Sequence, residues 1–369
     1  MKPSSSHSKN QWPHYDALYK LGGGTVANAG SIQASLNTIR WTQRTCLVVS
    51  APAGVTDLLS AAAQAFAKKE TKNAQSYLNE VINRFEHICH ALFTPEQAQL
   101  LIQQWQTWLN HHAHDASPSR LQARGELWNA ALIAKYLHQQ GICAEAVDAR
   151  LHILASAEHG EAEVDIQKPY WPEQNTVPVV TGYIAYSITA DGSRQTTTLG
   201  RDGSDYSAAL LAEALRVKQL YFYTDTHGIR SADPKLLEHE GQSIPCIGHH
   251  EAKTLVHWGG GVLHERTIKP LIRSAIHACI GRPGDSSQVT HLVPQSYWPS
   301  GGIGLFLYSD KNATDARVII PTPQNKTTLT EAQKECYAIQ EQQVLHEFKR
   351  LWPQTCLLYT SPSPRDWMV

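Results

Sequence analysis

The chain has little of anything that would tie it to a polyanion or a bilayer. Its 32 lysines and arginines nearly balance 33 aspartates and glutamates, for a net charge of −1. No basic stripe or block of like charge stands out, which argues against a nucleic-acid or membrane-surface role. No apolar run approaches the roughly 18 residues needed to span a bilayer. The opening MKPSSSHSKNQWPHYD is polar and lacks the apolar centre of a secretory signal. Residues 1–16 are therefore expected to form a loose tail, and the protein to be cytoplasmic. The 7 cysteines include no C-x-x-C pair, so reduced thiols are expected rather than disulfides or zinc, and no metal ligand is assigned. Histidines such as His111, His112 and His114 fall in a polar helix–loop region and read as a solvated face. No internal repeat is visible.

What is present is an alternation of strand and helix over 369 residues. That pattern implies an α/β fold with a mostly parallel open sheet covered on both faces. Strands are expected at 46–50, 143–147, 177–186 and 195–199, the last two around a turn at Asp191-Gly192. A helix over 57–69 would be capped by Thr56 or Asp57. Residues 74–93 and 95–112 read as a helical hairpin, and 126–140 as an amphipathic helix stopped by Gly141. Beyond Val293 the pattern changes to strands at 304–309 and 316–321 and a helix at 329–351.

The most informative stretch is LGRDGSDYSAALLAEAL at 199–215, followed by QLYFYTD at 219–225. It reads as a strand end, a glycine-punctuated turn and a helix carrying Ser204 and Asp205 in its first turn. Tyr206, Leu210 and Ala214 follow at helical spacing as a buried stripe. Such a junction aims backbone N–H groups and the positive helix end at one spot, which suits an anion. Arg201 at its mouth offers a planar fork for a carboxylate or phosphate. The next strand ends in the polar pair Thr224-Asp225, and in open α/β sheets ligands sit at such carboxyl strand ends.

These segments resemble the core of aspartokinase, in the amino-acid kinase superfamily. The resemblance runs from about Lys20 to Val293 through YKLGGGTVAN, VVSAPAGVTDLL, ARGELWNAAL, VVTGYIAY, the 199–215 segment, YTDTHGIRSADPK and GGGVLHERTIKP, in that order. It implies a three-layer αβα kinase domain over 17–293, with a helical insertion at about 70–115. The activity implied is MgATP-dependent phosphorylation of the aspartate side-chain carboxylate. Lys20 and Asp205 would be the catalytic pair. Thr56, Glu126, Arg201 and Ser204 would hold aspartate. Gly22, Gly23, Thr224, Asp225, Arg230 and Lys235, with Lys20, would hold ATP, and Mg2+ has no assigned protein ligand. Thr56 and Glu126 also read simply as a helix cap and a first-turn acid, and Asp205 as a cap.

The sequence also departs from the family's pattern. Gly24-Thr25 stands where the family usually has Thr-Ser, Arg230 where it has an aromatic, Gly261 where it has lysine and Glu265 where it has proline. The loss of the lysine and the run ARGELWNAALIAKYLHQQGICAEAVDAR resemble the bifunctional aspartokinase/homoserine dehydrogenases of the methionine-linked subtype. A homodimer and a fused dehydrogenase are accordingly expected. Residues 294–355 would begin an ACT-like regulatory region. CLLYTSPSPRD at 356–366 resembles a translated sequencing-library adapter, so 356–369 is expected to be a non-native tail and the chain a fragment. The same departures leave open a weak regulatory homologue that binds effector or partner without turnover. A kinase for glutamate or N-acetylglutamate is disfavoured by the GRDGSDYSAA and ARGEL motifs.

Overall fold

The structure is a computed structural model that describes residues 14–156, 162–165, 171–173, 175–230, 244, 246–257 and 263–294, with the strands at 306–309 and 316–319. The chain divides into two compact units, Met1–Asp225 and Thr226–Val369. The first contains, in order, β1 (Ala17–Leu21), α1 (Ala29–Asn37), β2 (Thr45–Val49), α2 (Val55–Ala67), α3 (Thr71–Leu92), α4 (Pro95–His112), α5 (Pro118–Gln122) and α6 (Arg124–Gln139). It continues with β3 (Ala144–Val147), β4 (Ile153–Ala155), β5 (Ala162–Val164), β6 (Val177–Thr181), β7 (Ile184–Ile188), β8 (Arg194–Thr198), α7 (Gly203–Ala214) and β9 (Gln219–Tyr223).

The main sheet of this unit runs β9-β1-β2-β6-β3, and its strands pair in parallel throughout. Every residue of β2 and β6 is buried, as expected of parallel strands covered on both faces. Alternation along β1 divides the work. Tyr19 and Leu21 join Leu47 and Val49 in the core shared with the long helices. Lys20 points to the other face, where its ammonium meets Asp205 of α7.

The expected helical hairpin is present as α3 and α4. Thr94 opens α4 with a capping box to Gln97, and Pro95 occupies the first helical position. Phe85, Trp105 and Trp128 lock the hairpin to α6, with ring centroids 5.0 Å apart for Phe85–Trp105 and 5.5 Å for the stacked Trp105–Trp128 pair.

Two sequence expectations need correction. The strand read as continuous over 177–186 is broken at Gly182-Tyr183. β6 stays in the main sheet, while β7 joins a second sheet of order β5-β4-β7-β8. Tyr183 turns the chain through a left-handed conformation, φ 65°. Gly182 presses against α7 so closely that a Cβ would come within 2.7 Å of the Ser204 Cβ. Thr56 and Asp57 do not cap α2 either: the cap is Gly54, left-handed at φ 76° with no side-chain hydrogen bond, and both residues lie within the first turns.

The second unit contains β10 (Cys246–Gly248), α8 (His249–His257), α9 (Glu265–Ser274), β11 (His277–Gly281) and β12 (Thr290–Val293). Here β12 lies between β10, parallel to it, and β11, antiparallel. Beyond these, β13 (Phe306–Ser309) and β14 (Ala316–Ile319) form an antiparallel pair within the two stretches expected as strands. The helix expected at 329–351 and both terminal tails lie outside the described residues. Among the described residues no helix is long and apolar enough to cross a membrane.

Candidate active site

The carboxyl ends of β1, β2 and β6 open onto one cavity of about 460 Å³ in the first unit, bordered also by the first turns of α2, α6 and α7. Its construction starts with glycine. The loop after β1 passes under the Lys20 side chain so tightly that a Cβ at Gly22 would sit 3.2 Å from Nζ and 2.9 Å from the Tyr223 carbonyl oxygen. The Gly22 N–H donates to that same carbonyl at 3.0 Å, and the Ala53 N–H donates to the Gly23 carbonyl at 3.1 Å. The loops after β1 and β2 and the end of β9 are thus pinned together by backbone alone.

Lys20 is only 8% exposed, and its Nζ lies 2.8 Å from Asp205 Oδ1. Burial raises the Asp205 carboxyl above its usual range, and the adjacent ammonium works against that rise. A charge pair this dry is weak evidence of stability. Its use is to hold an ammonium at a fixed point on the cavity wall.

Glu126, in the first turn of α6, is 2% exposed. One oxygen accepts the Ala51 N–H at 3.3 Å, while Oε2 is buried with no hydrogen-bond partner. Burial pushes its carboxyl up to about 8, so near neutral pH it holds a proton. An orphan carboxyl oxygen on a cavity wall is a costly arrangement unless a donor arrives. A cationic ligand group would supply that donor and draw the proton off.

The opposite wall is the turn into α7. Gly200 and Asp202 are both left-handed, φ 73° and 54°, which throws Arg201 outward and starts the helix at Gly203 with no side-chain cap. α2 also begins without one. Two uncapped helix N-termini, from α2 and α7, therefore border one cavity, joined there by Arg201, Ser204 and Thr56. That is an environment for anions. Asp205 is not the cap of α7, since Asp202 holds that position.

The structure accordingly brings together Lys20, Thr56, Glu126, Arg201, Ser204 and Asp205 around one space. Thr224 and Asp225 close the end of β9, with the Thr224 hydroxyl 3.3 Å from the Asp225 carboxylate. A Cβ on Gly24 would lie 2.6 Å from Asp225 Oδ2 and 2.9 Å from its Cβ. The glycine at 24 is thus matched to the aspartate at 225. The hydroxyl displaced to Thr25 turns into the loop and donates to the Gly22 carbonyl at 2.8 Å. Arg230, in the second unit, donates to the Gln288 side chain at 2.9 Å. Lys235 and Gly261 lie outside the described residues.

Sequence reasoning missed the supports. Arg84 of α3 donates to the Ala53 carbonyl at 2.8 Å, tying the helical insertion to the cavity rim. Asn129 donates to the Ser50 carbonyl at 2.6 Å. Tyr183 lines the cavity, and its left-handed backbone was the one signal a sequence does not carry for a non-glycine residue.

A family model described as the amino acid kinase family matches residues 17–282. The chain belongs to that family. The chain is 31% identical over 264 residues to an aspartokinase of Chlamydia muridarum, covering 70% of this chain and 58% of that protein. It is 26% identical over 285 residues to a chloroplastic bifunctional aspartokinase/homoserine dehydrogenase 2 of Zea mays, covering 70% of this chain and 30% of the relative. The chain thus spans little more than half of the chlamydial relative. Among solved structures it is similar to E. coli aspartokinase III in complex with aspartate and ADP, with a TM-score of 0.65 and 25% identity over 88% of this chain and 83% of that one.

Proposed function

We propose that this amino acid kinase is an aspartate kinase, transferring the γ-phosphoryl group of ATP to the side-chain carboxylate of aspartate. The observation that carries the reading is one cavity holding a buried Lys20–Asp205 pair on a glycine loop, a buried Glu126 with an orphan oxygen, and Arg201 beside an uncapped helix. The chemical difficulty is bringing anions together and stabilising charge as the phosphoryl group moves, a task of positioning and cationic stabilisation. Lys20 stands where it would neutralise the migrating group, and Asp205 orients Lys20. The attacking carboxylate is already ionised at neutral pH, so no base is required.

In this reading Arg201 and Ser204 grip a carboxylate of aspartate, the amide-rich start of α2 at Thr56 assists, and Glu126 receives the α-ammonium group. Gly22 and Gly23 let backbone N–H groups approach the phosphates. Thr224 and Asp225 would stand on the nucleotide side, to which the sequence resemblance adds Arg230 and Lys235. Mg2+ would accompany ATP and offset its phosphate charge, and Asp205 and Asp225 are oxygen donors of the kind it takes. The similarity to E. coli aspartokinase III with aspartate and ADP supports the assignment of both substrates. The wider protein that fits is a cytoplasmic homo-oligomer, with a fusion of the kind named for the maize relative.

Calorimetric titration with L-aspartate tests the carboxylate clamp. Arg201→Ala is expected to weaken aspartate binding roughly 10- to 100-fold, as loss of a charge-assisted bidentate contact would, while ATP binding changes little. An equal loss for both ligands would defeat the assignment.

A further inference from the structure

Apart from the kinase cavity, the described residues contain one further convergence of ligating atoms, in the second unit. His277 and Cys279 of β11 stand two residues apart and therefore on one face of the strand. Antiparallel register sets His291 of β12 directly opposite Cys279, which brings all three side chains onto that face. Their ligating atoms lie within 4.8 Å of one another. His277 Nε2 is 3.1 Å from His291 Nδ1, and Cys279 Sγ is 3.3 Å from the same nitrogen.

Hydrogen bonding alone accounts poorly for this. A neutral ring nitrogen offers either one in-plane lone pair or one N–H, so His291 Nδ1 cannot serve an imidazole nitrogen and a thiol fully at once. A metal ion resolves the conflict by accepting a lone pair from each. Tetrahedral zinc, with bonds of about 2.0–2.1 Å to nitrogen and about 2.3 Å to sulfur, sets its ligand atoms roughly 3.3–3.6 Å apart. The two separations measured to His291 Nδ1 are within a few tenths of an ångström of that, and all three atoms lie within 4.8 Å of one another. Two imidazoles and a thiolate select a borderline-soft cation over Mg2+ or Ca2+.

We propose that His277, Cys279 and His291 form a binding site for Zn2+ that ties β11 to β12. The register places a further thiol in the same row across the sheet: Cys246 of β10 is the partner of His291 on its other side. The site lies within the second unit, shares no residue with the kinase cavity, and requires no redox partner, since Cys279 only gives up its proton as the metal binds.

The experiment titrates the whole chain with Co2+ as a spectroscopic stand-in for zinc and then displaces it with Zn2+. The expected result is one tight equivalent with a thiolate-to-cobalt charge-transfer band and tetrahedral d–d bands. Cys279→Ser should abolish the charge-transfer band or weaken binding at least 10-fold. Cys143→Ser, which removes an exposed thiol of the first unit, should leave both unchanged. X-ray absorption on the zinc-loaded unmodified chain should show sulfur and imidazole together in the first shell, a result independent of how any variant folds. An oxygen- and nitrogen-only shell, no tight equivalent, or an unaltered cobalt spectrum in a folded Cys279→Ser protein would overturn the proposal.

Discussion

Glu126 is the residue whose environment makes the sharpest claim. Its folded carboxyl holds a proton up to about pH 8, whereas in the unfolded chain that proton leaves in the ordinary carboxylate range. Between those limits the folded protein binds more protons than the unfolded one, so raising the pH removes stability, by at most about 1.4 kcal/mol per pH unit. The contribution is complete below the unfolded value and is lost as the pH rises through the folded one. Glu126→Gln keeps the shape and cannot ionise. Thermal unfolding followed from about pH 5 to about pH 9 should show the variant gaining on the parent as the pH rises to about 8 and levelling off above it. The same variant should bind aspartate far more weakly, because it offers no negative charge to an ammonium group. Parallel stability curves for the two proteins would mean that Glu126 ionises freely and is not the dry acceptor described. At this scale the sequence was partly legible. Arg201 and Asp205 stood out because glycines and a helix start surround them, whereas Lys20 was singled out by the ordered motifs of the resemblance. The Ala51 amide that steadies Glu126 left no trace, since every residue has one. Nor did His277, Cys279 and His291, which only strand register brings together.

Among the elements, the loop after β1 and the end of β9 form the tightest joint. Gly24 is where aspartokinases usually carry a side chain, and in this chain Asp225 occupies the space such a side chain would need. Gly24→Thr should therefore force the β9 end outward and cost about 1–3 kcal/mol, the usual range for overpacking. It should raise the KM for ATP more than that for aspartate. Denaturant unfolding reads the first effect and steady-state kinetics the second, and a variant as stable as the parent would show that the joint is slack. The elements themselves were mostly visible beforehand: α3, α4 and α6 announced themselves through apolar spacing, Pro95 and Gly141. The break between β6 and β7 did not, because the apolar run continues across it. What interrupts the strand is the approach of α7, a tertiary contact. The same holds for the start of α2, where a left-handed Gly54 displaced the threonine cap that local propensity favours.

For the molecule as a whole, the parallel sheet order β9-β1-β2-β6-β3 places the loops after β1 and β2, the break after β6 and the start of α7 around one opening. Alternation of strand and helix was enough to expect such a sheet, with a ligand at its carboxyl strand ends. Which strands are neighbours, and hence which distant residues share a wall, depended on topology that local patterns do not encode. The resemblance in ordered motifs supplied that information. The central claim is that this opening transfers phosphate to aspartate, and the most direct measurement is aspartyl-hydroxamate formation by the purified chain with MgATP, with glutamate and N-acetylglutamate as parallel acceptors. The account predicts product from aspartate alone, abolished in a folded Lys20→Ala variant. Product from the other acceptors, or unchanged turnover without the Lys20 ammonium, would contradict it.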